Sequence, residues 1–249
     1  MQASVPNLLP PKASLPMCGR YVSPAQAAIE REWDLRNAVS DRFLRKPFDA
    51  SYNVAPTQQV PIIRVIREQG GKRELLPMRW GLVPFWAKGV APKYSTINAR
   101  AETVETAASY RGPWKRGQRC VFPVAGFYEW HVEADGTKQP WYIRPAGDDE
   151  LFSLGGLWDE SSDDSGGATL SCTIITLDAN ELLASIHNDK QRMPLILPKE
   201  SVDTWLKGTT EEARALIAPY PSELMRAHQV SKRVNKPANN EASLIEAVA

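Results

Sequence analysis

The sequence has little cysteine, little histidine and almost no net charge. Its three cysteines, Cys18, Cys120 and Cys172, are odd in number, widely spaced and never paired as CxxC. That pattern argues against a disulfide framework and a structural zinc site, and it suits a reducing compartment. Each thiol must be judged alone; Cys120 and Cys172 sit in strand-like runs and read as buried core thiols. No stretch approaches the ~18 consecutive apolar residues of a membrane span. A net charge of +1 is not that of a protein that coats duplex DNA, so any nucleic-acid contact must come from a local patch. There are no internal repeats and no clear linker.

What is present starts after a sparse leader. Residues 1–16, MQASVPNLLPPKASLP, lack the apolar run of a signal peptide and the apolar surface needed to fold. They are expected to be a disordered leader or a mis-assigned start, with Met17 the true start. The densely patterned region runs from 17 to 236, and 237–249 is a polar tail. CGRYV reads as a short strand, and Ser23-Pro24 opens a helix reaching Trp33. Residues 37–50 read as a loop or a short irregular helix. Strands are expected at 52–54, 59–67, 74–80, 119–131 with a bend at Gly126, 139–143, 151–158, 170–177 and 193–197. Short helices are expected at 102–110, 178–185, 201–206 and 210–216, a polar hairpin at 159–168, and an irregular segment after Lys232. This is one α+β domain with a curved, mostly antiparallel, barrel-like sheet and flanking helices. The Gly-, Pro- and Trp-rich stretch at 81–100 is a long loop of the kind that more often carries function than not.

Several residues have chemistry to offer. An N-terminal Cys18 would carry an α-amine and a thiol together. Such a pair captures an aldehyde as a Schiff base and then closes a thiazolidine, the second step being intramolecular. The α-amine is partly unprotonated near neutrality, with a reference pKa of about 7.7–8.0. Inside a chain the same residue has an amide nitrogen and reads as a small buried strand residue. Asn98, in INAR, suits either a hydrogen bond to a reacting amine or a capped turn, and Arg100 beside it suits a two-pronged phosphate contact. Glu129, in GFYEW, is either an acid/base carboxylate raised by aromatic surroundings or half of a structural ion pair. His187 is either a proton shuttle or a core histidine. Arg79, Trp80, Phe85, Trp86, Lys88, Lys93 and Arg100 interleave bases and aromatics, as single-stranded nucleic acid requires; for one of the two tryptophans a core position is the expectation.

MCGRY at 17–21, YNVAPTQ at 52–58, MRWGLVPFWAK at 78–88 and STINARAET at 95–103 stand in order along the chain. RCVFPVAGFYEW at 119–130, SCTIIT at 171–176, IHNDKQRMPLIL at 186–197 and VSKRVN at 230–235 follow. Together they resemble the SRAP family, the SOS-response-associated peptidases or abasic-site processing proteins. The resemblance implies a soluble, cofactor-free and metal-free monomer that crosslinks to abasic sites in single-stranded DNA, cytoplasmic and nucleoid-associated if the source is bacterial. It implies a catalytic set of Cys18, Asn98, Glu129 and His187. It also implies a DNA-contacting set of Arg20, Asn53, Arg79, Trp80, Trp86, Lys88, Ser95, Thr96, Arg100, Thr176 and Arg192. A Schiff-base stage makes a DNA lyase activity part of the same expectation. Two other readings use the same residues: a peptidase that removes its own leader, and a reader of modified bases that never reacts. The family's shorter forms hold fewer residues between His and Arg-Met-Pro. Asn188–Gln191 intervene here, which leaves the role of Arg192 open.

Overall fold

The structure is a computed structural model that describes residues 18–35, 47–147 and 150–248. The leader at 1–16, Met17 and most of the loop expected at 37–50 lie outside the described residues. In chain order the strands are β1 (Tyr21–Ser23), β2 (Ser51–Val54), β3 (Gln59–Ile66), β4 (Lys72–Trp80), β5 (Asn98–Arg100) and β6 (Arg119–Val124). They continue as β7 (Gly126–Val132), β8 (Lys138–Pro145), β9 (Phe152–Ser162), β10 (Ala168–Asp178), β11 (Arg192–Pro194), β12 (Ile196–Leu197) and β13 (Met225–Gln229). The helices are short: α1 (Gln26–Glu32), α2 (Arg111–Lys115), α3 (Glu181–Ile186), α4 (Val202–Lys207) and α5 (Thr210–Ala215).

Five strands close on themselves. β3 pairs β4, β4 pairs β10, β10 pairs β9, β9 pairs β6, and β6 returns to β3 at Ile63 opposite Val121. Only the β4–β10 pair in this ring is parallel. Closure removes the open edges that would otherwise be left unpaired. The runs VPIIRVI and LSCTIITL are buried along almost their whole length, and supply Ile62, Ile63, Cys172, Ile174 and Ile175 to a common core. Cys120 and Cys172 are both fully buried in it, as expected.

A second, wholly antiparallel sheet runs β13–β8–β7–β1–β2. Its central strand β7 is buried on both faces. Side chains alternate along a strand, so Phe127 and Glu129 share one face and Tyr128 and Trp130 the other. Phe127 joins the main core, while Tyr128 and Trp130 pack on Val230, Val234 and Leu244 near the C-terminus. Glu129 is thereby carried inward. Gly126 opens β7, where an added Cβ would overlap the Tyr142 ring.

Three sequence expectations need correction. Residues 102–110 form successive turns, and the helix lies at α2. Thr103, Val104 and Thr106 are β-branched and poor in a helix, and the Thr106 hydroxyl donates to the Thr103 carbonyl at 3.3 Å. The strand expected at 193–197 is split, β11 pairing β10 and β12 pairing β9, because Leu195 turns between them. The five-residue β13 was not foreseen. Its sequence MRAHQ is mostly polar because it forms an edge with only Met225 buried.

Candidate functional site

The pairing of β1 with β7 sets up the site. Tyr21 stands opposite Phe127, and the Tyr128 amide donates to the Arg20 carbonyl at 3.0 Å. The pairing thus reaches back toward Cys18. Cys18 adopts φ 45°, a left-handed conformation uncommon outside glycine and often kept at functional positions. Its nitrogen donates to Glu129 Oε1 at 2.7 Å. Glu129 Oε2 faces His187 Nδ1 at 3.7 Å. His187 caps the end of α3, and its Nδ1 also lies 3.2 Å from the Arg192 carbonyl. Cys18, Glu129 and His187 are all buried.

The electrostatics follow from that burial. Desolvation pushes the Glu129 carboxyl above its ordinary range; the His187 ring, the Cys18 hydrogen bonds and Lys190 pull the other way and do not overcome it. Desolvation and then the Glu129 charge push the Cys18 thiol up, against smaller opposing effects of Arg192 and Lys190. The constellation is therefore a carboxyl group able to hold or release a proton, in contact with a cysteine nitrogen, with an imidazole behind it. Among the described residues no cluster of His, Cys, Asp and Glu has the makings of a metal site.

Asn98 lies on β5, which pairs in parallel with β10, and its carbonyl accepts from the Tyr110 hydroxyl at 3.0 Å. With Tyr94, Ser95, Arg100, Ser109 and Tyr110 it lines an open groove of about 380 Å³. A second hollow of about 270 Å³ adjoins it through Ala108 and Ser109, and carries Phe85, Trp86, Arg111, Lys115 and Arg116. Phe85, Trp86 and Tyr94 are about half exposed, and Arg116 lies over the Phe85 ring at 5.1 Å. Aromatic faces and cations thus alternate along one surface strip.

Other expected DNA contacts are turned inward. Trp80 is fully buried, packs edge-on against Tyr21 and donates to the Ile97 carbonyl; it offers no face to a base. Asn53 is buried with its amide nitrogen on the carbonyls of Val234, Lys236 and Asn239. Arg20 donates to Asn53 Oδ1 and to the Val234 carbonyl. Thr96 and Thr176 are buried. Arg192 is forked onto Glu102, and bonds Asp178 and the Thr176 carbonyl as well. Arg79 bonds the Gly81 carbonyl, and exposed Lys88 pairs with Asp164. In Trp80, Asn53 and Thr176 the fold itself uses or buries the polar or aromatic faces. Of the DNA-contacting set, Trp86, Lys88, Ser95 and Arg100 are exposed.

One neighbour of His187, and the cation beside that neighbour, escaped sequence reasoning. Asp189 Oδ1 lies 3.4 Å from Nε2, and Lys138 approaches Asp189 at 3.8 Å. The available signal was an acid inside the inserted Asn188–Gln191 stretch.

Residues 17–237 match the profile of the SOS response associated peptidases. The chain is 39% identical over 236 residues to a Bacillus subtilis protein named abasic site processing protein YoqW, covering 92% of this chain and 99% of that one. It is 34% identical over 260 residues to the Gallus gallus abasic site processing protein HMCES, covering 90% of this chain and 76% of that one. A crystal structure of a Bacteroides thetaiotaomicron protein superposes with a TM-score of 0.77 at 28% identity, over 92% of this chain and 100% of that one. With its closed barrel, its companion sheet and this extent of match, the chain belongs to the SOS response associated peptidase (SRAP) family.

Proposed function

We propose that the protein processes abasic sites in single-stranded DNA by capturing their aldehyde on Cys18. The observation that carries this reading is the Glu129 carboxyl against the Cys18 nitrogen, 2.7 Å away and buried. Once the residues before Cys18 are removed, that nitrogen is an amine. It adds to the open-chain aldehyde carbon, and loss of water from the carbinolamine leaves an iminium. The thiol then adds to the same carbon as its proton leaves, closing a five-membered thiazolidine. Glu129 takes the proton that the amine must lose and returns one to the departing hydroxyl. His187 assists opening of the sugar ring, and Asn98 orients the reacting groups from the groove edge. Trp86 and Phe85 stack flanking bases while Arg100 pairs with phosphate. The iminium stage also opens a route to strand cleavage, a lyase activity.

The test mixes processed protein with single-stranded DNA carrying one abasic site. A heat-stable conjugate on a denaturing gel is expected, and none from Cys18→Ala. A conjugate that persists in Cys18→Ala refutes the mechanism. A second reading rests on the same contact, since the nitrogen facing Glu129 is that of the bond to residue 17. The protein is then also its own peptidase, freeing the amine that the crosslink needs. Intact mass of the Glu129→Gln variant tests this: leader removal that proceeds unchanged excludes self-processing through Glu129.

A further inference from the structure

Asp189 and Lys138 stand on the far side of His187 and have no part in the chemistry above. Each nitrogen of the imidazole meets a carboxylate: Glu129 Oε2 at 3.7 Å on Nδ1 and Asp189 Oδ1 at 3.4 Å on Nε2. The line also runs from inside to outside. The Glu129 and His187 side chains are 2% and 5% exposed, and that of Asp189 is 31% exposed. Lys138, from β8, lies 3.8 Å from the other Asp189 oxygen.

The loop that presents Asp189 is fastened on both sides. The Asn188 side chain accepts from the Val132 amide and donates to the Val132 carbonyl, each at 2.9 Å, and so docks the loop on the end of β7. Gln191 takes φ 50°, and its amide donates to the His187 carbonyl at 2.8 Å. The residues between His187 and Arg192 thus form a closed turn that returns the Arg192 carbonyl to Nδ1. Both ring nitrogens are fixed by the same short loop.

We infer that Asp189 is a positioning residue for His187, its carboxylate holding the ring at Nε2 while the Arg192 carbonyl holds it at Nδ1. The inference rests on the reading that Glu129 and His187 serve aldehyde capture at Cys18. A carbonyl only accepts, so Nδ1 donates to that of Arg192 and takes no proton from Glu129; Asp189 acts on the ring through orientation and charge alone. The charged and titratable groups around the ring and its loop are the Cys18 thiol and Glu129, Asp189 with Lys138, Lys190 from the loop, Arg192 from β11, and His131 of β7 against Asn188.

The test compares processed wild type, Asp189→Asn and Asp189→Glu. Crosslinking is timed across pH at saturating single-stranded abasic DNA, alongside DNA affinity and thermal melting. Asparagine keeps the acceptor oxygen and removes the charge. Asp189→Asn is expected to slow crosslinking about tenfold and change its pH profile, with DNA affinity unchanged and Asp189→Glu restoring most of the rate. Wild-type rate and profile in Asp189→Asn overturn the inference, and so does equal loss in both variants. Ring-nitrogen NMR of His187 reads the same contact without any conjugate: altered shifts in Asp189→Asn are expected, and identical spectra overturn it. Absence of conjugate from wild type refutes the aldehyde reading alone, and the spectra then decide the role of Asp189.

Discussion

Replacing Glu129 by Gln separates what the carboxyl does for chemistry from what it costs the fold. The substitution keeps shape and removes charge. A hydrogen bond to a charged group contributes about 1.5–3 kcal/mol, and general acid–base catalysis about 10²–10⁴-fold in rate. Both effects reside in one carboxyl and do not add independently. The expected loss in crosslinking rate is therefore about 10²-fold, or ~2.7 kcal/mol of barrier. Stability should move the opposite way in the unprocessed chain, where the Cys18 nitrogen is an amide. Burial raises Glu129 there, so the folded protein holds that proton more tightly than the unfolded chain does. Wild-type stability then falls as pH rises from the unfolded carboxylate value through the raised folded one. Gln escapes that loss and should melt higher than wild type at pH 7, with the gap closing below the ordinary carboxylate range. Processing reverses the sign. An ammonium at the position of the present amide, 2.7 Å from Oε1, is an opposite charge that favours the carboxylate, and the variant then melts lower. Melts of both forms at pH 7 and pH 4, with gel time courses, read all of this. A Gln variant that crosslinks at the wild-type rate refutes the catalytic assignment. A gap in the unprocessed chain that acid does not close refutes the electrostatic one.

Trp80→Ala and Trp86→Ala should behave as opposites. The first opens a cavity in the core and costs about 3–5 kcal/mol of stability. The second leaves the melt unchanged and weakens single-stranded DNA binding by about 1–3 kcal/mol; equal effects on melting contradict the stacking role. Arg100→Ala should weaken binding similarly across sequences and lower the slope of log affinity against log salt by about one. An unchanged slope places the phosphate elsewhere. Asn53→Ala strips the buried amide from the carbonyls of Val234, Lys236 and Asn239, leaving buried acceptors at a cost of ~1–3 kcal/mol each at most. A chemical-denaturation midpoint equal to wild type rules out that clamp.

The parts of the fold that were legible in the sequence were those whose burial leaves a pattern. VPIIRVI and LSCTIITL can be little else than core strands, and the Thr209 cap with Glu212 marks the start of α5. MRAHQ carries no such pattern because an edge strand is held by its backbone. The turns at 102–110 have helix-like composition at their ends, and the β-branched residues between decide against a helix. At the site, the motif neighbourhoods pointed to Cys18, Glu129 and His187, which the fold brings together from positions 111 residues apart for the first pair. Trp80 and Trp86 lie in the same aromatic run, and the first is buried with its ring against Tyr21 and its nitrogen on the Ile97 carbonyl. Asp189 was invisible because its meaning depends on the path of a four-residue turn.

The hydrogen bond from Arg20 to the Val234 carbonyl spans 214 residues of chain. Its consequence lies in synthesis. Translation at ~5–20 residues per second separates the two partners by about 10–40 s. During that interval the first-made part of the protein lacks the C-terminal turn that anchors Arg20 and Asn53. A nascent chain therefore holds Arg20 and Asn53 without their carbonyl partners until its last residues emerge. The end of the molecule that is made first is the last to be locked in place.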